Sequence, residues 1–131
     1  VLGLRRVLEG GAARAAAGRT LDAAARDELW ARYEATAAAS EADYRRLDTL
    51  LHLTIAELSG IPSLVALAAE NRARVNEWLD TFPLLPRNID HSNAQHERIV
   101  TAILAGRPDA AEGAVLQHLA GSEALLRGFL A

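Results

Sequence analysis

Chemistry in this sequence is concentrated in four histidines, His52, His91, His96 and His118, and one carboxylate, Asp48. Asp48 and His52 are four residues apart, which on a helix stacks a carboxylate and an imidazole on one face about 5–6 Å apart, as chelation requires. Leu47, Leu50, Leu51 and Ile55 leave little polar surface around them, so the pair is expected to face inward, where each group would be costly if unpaired. His118 is flanked at helical spacing by Ala111, Ala114, Val115, Gly121 and Ser122; such small neighbours leave a void beside the ring and suggest a pocket. His96 lies at the edge of the apolar stripe of Ile99, Val100 and Ile103. Three imidazoles and one carboxylate suit a first-row divalent ion, zinc first and nickel or manganese as alternatives, and an octahedral ion would keep two positions open. The competing reading is an inward histidine that is only a hydrogen-bonded core residue and an Asp–His spacing that is a simple pair. His91 is expected to be solvated, in a loop or first turn, or else to support a ligand from outside the coordination sphere.

Composition narrows the classes. The 131 residues suit one domain with one core. With no cysteine there is no disulfide framework, no thiolate nucleophile and no sulfur ligand, which points to a cytoplasmic protein and to nitrogen and oxygen donors for any metal. No apolar run approaches the roughly 20 residues of a membrane span. The net charge is −3, and the 14 basic residues, all arginine, are scattered, so this segment by itself is not expected to bind DNA. It begins at Val1 and has no methionine, from which we expect a piece of a longer protein.

The elements that must position these residues are helices. Ala, Leu, Arg and Glu dominate, with apolar residues three and four apart and no alternating β-branched run. Glycine and proline punctuation divides the chain into helices near 2–17, 21–38, 41–59, 62–80, 89–105 and 108–129. Pro62 and Pro108 suit first turns, and Gly60 and Gly106 suit the caps before them. The expected architecture is all-α: an antiparallel bundle of about six helices over residues 1–131 with an internal metal and ligand cavity.

Three segments resemble the effector-binding (FCD) domain of FadR-like GntR-family transcription regulators. Arg5-Arg6-Val7-Leu8-Glu9 resembles the family's R-x-x-L-E opening. The segment from Leu47 to Gly60, with Asp48 and His52, resembles D-x-x-F-H-x-x-I-A-x-x-S-G-N. His96 to Ala111 resembles E-H-x-x-I-x-x-A-I-x-x-G-D-x-x-x-A, and His118 falls where the last histidine is expected. Leu51, Ile61, Gln95 and the spread Gly106-Arg107-Pro108-Asp109 depart from these patterns; they are expected to touch packing and capping, not ligands. The resemblance implies metal ligation by Asp48, His52, His96 and His118, a small organic-acid effector in the cavity, a homodimer, and operator DNA contacted only through an N-terminal winged helix-turn-helix missing from this chain. Arg5 is the first candidate for the effector carboxylate, with Arg72 and Arg74 second because periodicity leaves open which of them points inward.

Two other functions compete. A helical metallohydrolase would need a general base near the metal, but Glu57 and Glu123 are rotated about 140° from the nearest ligand and Glu41 lies two turns away, leaving Glu9. A purely structural dimerisation module would make the histidines incidental. For the homodimer that the resemblance implies, Leu125, Leu126 and Leu130 are candidate residues of a self-complementary patch.

Overall fold

A computed structural model of the chain describes residues 1–130, the side chains of residues 126, 129 and 130 excepted. Six helices follow in order: α1 (Leu2–Ala17), α2 (Ala23–Ala37), α3 (Glu41–Leu58), α4 (Pro62–Leu79), α5 (Pro86–Leu104) and α6 (Pro108–Leu130). Among the described residues there is no strand.

Local chemistry explains the boundaries. The Asp22 carboxylate accepts from the Ala25 N–H at 2.8 Å to start α2, and Ser40 Oγ accepts from the Asp43 N–H at 3.3 Å to start α3. Pro62, Pro86 and Pro108 open the next three helices, where the missing N–H would have been unpaired in any case. Helix α5 thus begins three residues before the position expected from periodicity, because Pro86 is a start signal and not part of a loop. Gly106 (φ +68°) ends α5: its N–H reaches Ile103 O and the Arg107 N–H reaches Ala102 O, both at 3.0 Å, the paired bonds of a left-handed glycine cap. Gly60 (φ +74°) follows α3 in the same conformation.

Helix α1 is central, packing against α3, α4, α5 and α6. Small residues permit this: Ala12, Ala13, Ala16 and Ala17 are buried in the main core, and a Cβ on Gly10 would meet Leu116 of α6 at 3.4 Å, so the helices approach closely where that atom is absent. The core is completed by Leu29 of α2, Leu51 and Ile55 of α3, Ile99, Val100 and Ile103 of α5, and Ala111, Val115 and Leu119 of α6. Each fully buried Leu or Ile contributes roughly 1.5–3 kcal/mol of transfer free energy. A smaller cluster of Val75 and Leu79 joins Leu2 to Phe82. Helices α3, α5 and α6 are each anchored by this apolar packing, which brings their polar turns together beside α1.

Candidate metal centre and adjoining cavity

Asp48 and His52 occupy successive turns of α3, His96 comes from α5 and His118 from α6. One donor atom from each of the four lies within 4.8 Å of all the others. Asp48 Oδ1 is 3.2 Å from His52 Nε2 and 3.1 Å from His96 Nε2, and the two Nε2 atoms are 3.2 Å apart. The imidazole of His118 stacks on His52 at 5.4 Å between centroids and meets His96 edge-on at 4.6 Å. All four residues are between 1 and 6 % exposed.

The surrounding groups fix the tautomers. Glu9 of α1 accepts from His52 Nδ1, which leaves the Nε2 lone pair pointing into the cluster. Gln95 Oε1 accepts from His118 Nδ1 at 2.7 Å, with the same result for His118. His96 Nδ1 is buried without a hydrogen-bond partner, and so is Asp48 Oδ1, although two imidazole nitrogens stand close to that oxygen. Buried donors crowded this closely, with Asp48 Oδ1 left without a hydrogen-bond partner, are what a shared cation would reconcile. Cis donors on bonds of about 2.1 Å stand roughly 3.0 Å apart around an octahedral ion and about 3.4 Å apart around a tetrahedral one, and the three short separations above fall between these. The donor set therefore fits a divalent metal ion. With only nitrogen and oxygen donors it suits zinc, nickel or manganese and offers nothing to ions that need thiolate.

Electrostatics agrees with this division of roles. Burial raises the Asp48 pKa, but Arg72, whose guanidinium bonds Asp48 Oδ2, and His52 outweigh it and hold the carboxyl well below its usual range. Burial likewise opposes ionisation of Glu9, yet Arg5 and His52 keep it ionised, well below the usual value; the Arg5 Nε–H donates to Glu9 at 2.6 Å. Burial lowers the pKa of His96 and pushes that of His118 well down, with neighbouring His96 and His52 adding to the effect. These two rings are thus held neutral, as ligands must be. His52 is the exception: burial lowers it, but Glu9 and Asp48 together raise it.

A cavity of about 120 Å³ adjoins the cluster, with Asp48 and His118 in its wall. Arg5, Ser92, Gln95 and Ser122 supply other polar surface, and Leu84, Ile89 and Leu125 an apolar side. Arg5 is 3 % exposed, and its Nη1 is buried without a partner.

The arginines expected to meet a ligand are separated by the structure. Arg5 lines the cavity. Arg72 is buried and bonds Asp48 and, from Nε at 3.2 Å, Thr49 Oγ1; its Nη1 has no partner, as in Arg5, but unlike Arg5 it does not line the cavity. Arg74 lies on the outer face of α4, its side chain 63 % exposed and 3.6 Å from Glu70; two residues on a helix differ by about 200°, so one of the pair must point away. His91 is exposed, in the second turn of α5, and accepts from the Gln95 amide at 3.2 Å. Gln95, expected to matter only for packing, in fact holds a member of the cluster. Glu9 was legible as a motif letter and as the one base left to a hydrolase, but its distance in sequence from His52 hid their contact. Glu57 and Glu41 are exposed, and Glu123 pairs with Arg6, so none of the three faces the cluster. Leu125 faces the cavity, whereas the side chains of residues 126 and 130 lie outside the described residues.

Six helices around a buried Asp/His₃ cluster define an all-α domain with a metal-compatible centre. Residues 1–121 match the model of the FCD domain, and the chain belongs to that family. Membership points to a regulatory and not an enzymatic role. The solved structure of E. coli McbR/YncC is similar, with a TM-score of 0.85 at 18% identity, covering 96% of this chain and 65% of that one. The present chain thus spans just under two thirds of that structure, and the likeness establishes the fold. No protein of curated function matches the sequence significantly. Among the described residues, no helix is long and apolar enough to cross a membrane.

Proposed function

We propose that this chain is the effector-sensing domain of a bacterial GntR-type transcription regulator that works in the cytoplasm as a homodimer. A divalent ion, zinc first, is held by Asp48, His52, His96 and His118, and a small organic acid occupies the adjoining cavity. The observation that carries this reading is the meeting of four buried donors with a cavity lined by Arg5, whose buried Nη1 has no partner. A metal in this cluster would supply a Lewis-acidic position for a carboxylate oxygen. Arg5 would take the remaining charge through its guanidinium fork, while Glu9 keeps that guanidinium and His52 in place.

Regulation requires that the acid favour one arrangement of the helices over another, because a ligand with equal affinity for both shifts nothing. Helix α1 carries both Arg5 and Glu9 and touches four other helices, so it is the element through which occupancy would be transmitted to an N-terminal winged helix-turn-helix that contacts operator DNA. The hydrolase alternative lacks a base: Glu9 is engaged by both His52 and Arg5.

Elemental analysis of chelator-free protein, followed by calorimetric titration of mono-, di- and hydroxy-carboxylates into metal-loaded and metal-stripped samples, tests the reading. Stoichiometric metal and metal-dependent acid binding are expected. Protein that refuses zinc, nickel and manganese, or that binds acids equally well with and without metal, would refute it.

A further inference from the structure

Gln95 stands between the cluster and the cavity. It is 7 % exposed and lines the cavity; its Oε1 accepts from His118 Nδ1 at 2.7 Å, and its amide N–H donates to His91 Nε2 at 3.2 Å. With His118 protonated on Nδ1 and His91 unprotonated on Nε2, both contacts orient the amide: flipped, it would set N–H against N–H at His118 and oxygen against a lone pair at His91. Gly121 lies opposite, where a Cβ would make an ordinary contact with the amide nitrogen at 3.7 Å.

Gln95 is also neutral, and the charge count around it is short. Arg5 and Arg72 are buried, as is Asp48, and Glu9 is largely so; two cations face two carboxylates and cancel. Arg45, nearer solvent, reaches Asp80 at 3.9 Å as well as Asp48 at 3.0 Å. A divalent ion on the four donors would then leave two positive charges uncompensated in a largely buried region. A carboxylate at position 95 would cancel one of them, whereas an amide cancels none.

Resting on the metal and carboxylate reading above, we propose that Gln95 is a positioning residue for His118 whose neutrality leaves the cavity two charges short, so that it selects a small dicarboxylate over a monocarboxylate. The apolar side formed by Leu84, Ile89 and Leu125 suits the carbon chain of such an acid and not an inorganic anion, and the volume of about 120 Å³ limits it to a few carbons.

The test is titration of zinc-loaded protein with succinate, butyrate and sulfate, in wild type and Gln95→Glu. Succinate is expected to bind wild type at least about tenfold more tightly than butyrate, the effect of one unit charge roughly 10 Å away at an effective dielectric near 20. Gln95→Glu keeps an acceptor for His118, so zinc affinity measured by chelator competition is expected to hold or rise, while the succinate-to-butyrate preference falls about tenfold. Gln95→Leu removes the acceptor and is expected to weaken zinc binding by about 10–100-fold. Equal binding of succinate and butyrate by wild type would overturn the inference alone, and that comparison needs no variant. An unchanged preference in Gln95→Glu, or sulfate binding as tight as succinate, would overturn it too. Binding of neither acid by zinc-loaded protein would overturn the carboxylate reading itself.

Discussion

Glu9→Gln separates the jobs that one carboxylate performs for the cluster. In the native protein Glu9 accepts from His52 Nδ1 and from Arg5 Nε, and its side chain is 14% exposed. The amide keeps an oxygen for one donor but turns N–H toward the other, and it removes the negative charge beside a guanidinium that is 4% exposed. Deleting one partner of a buried ion pair costs about 3–5 kcal/mol; partial exposure and the retained hydrogen bond place this case near the lower end. With an unfolding entropy of about 2.1 cal/mol/K per residue, 131 residues give roughly 0.28 kcal/mol/K, so a loss of about 3 kcal/mol lowers Tm by about 11 °C. Zinc affinity is expected to fall by about 10–100-fold, because His52 loses the carboxylate that orients it and raises its basicity. Thermal unfolding of metal-free protein followed by circular dichroism reads the first effect, and competition with a chromophoric chelator reads the second. A variant with unchanged Tm and unchanged zinc affinity would show that Glu9 supports neither Arg5 nor His52.

Metal-free protein is expected to lose stability on acidification. Burial depresses His96 and His118, so below about pH 6.5 the unfolded chain takes up protons that the folded chain refuses, and stability falls. His52 is raised and acts oppositely, its contribution being fully present below about pH 6.5 and lost above its folded value, but it is one ring against two. The urea midpoint should therefore be lower at pH 5.5 than at pH 7.5, and the reverse order would contradict the assignment of neutral rings. Ile61 occupies the N-cap of α4 without a side-chain bond, so Ile61→Asn is expected to add about 1 kcal/mol, read as a higher urea midpoint at unchanged slope. Leu29 is fully buried, and Leu29→Ala should cost about 2–5 kcal/mol by the same measurement with the helical spectrum retained.

Local features were the legible ones. Proline at a helix start and glycine past a helix end act within a few residues, so α1, α3, α4 and α6 lie close to the bounds expected from punctuation; Pro86, grouped with a loop by its neighbours Pro83, Leu84 and Leu85, shifted the start of α5. The Asp48–His52 pair was readable because helical geometry fixes its spacing, and the remaining two histidines because small or apolar neighbours marked their faces. The contacts of Glu9 with His52, of Gln95 with His118 and of Arg72 with Asp48 cross from one helix to another, and no periodicity encodes which helices meet. That is why Arg5 came first only on its motif, and Arg72 and Arg74 were not told apart, until packing put Arg5 at the cavity, Arg72 behind it against Asp48 and Arg74 on the outer face.

The seclusion of the cluster has a kinetic consequence. Its donors are drawn from helices separated by up to 70 positions along the chain, from Asp48 to His118, and are almost wholly shielded from solvent. An ion seated there would act as a removable cross-link, closing long chain loops only in the native state. Its ways out are the adjoining cavity, whose wall includes Asp48 and His118, and the parting of α3, α5 and α6, so with an acid filling the cavity its exchange rate would clock the breathing of the bundle and not the intrinsic lability of the coordination bonds. Metal-exchange half-lives of the acid-bound protein would then track the local opening rates seen by amide hydrogen exchange in those three helices.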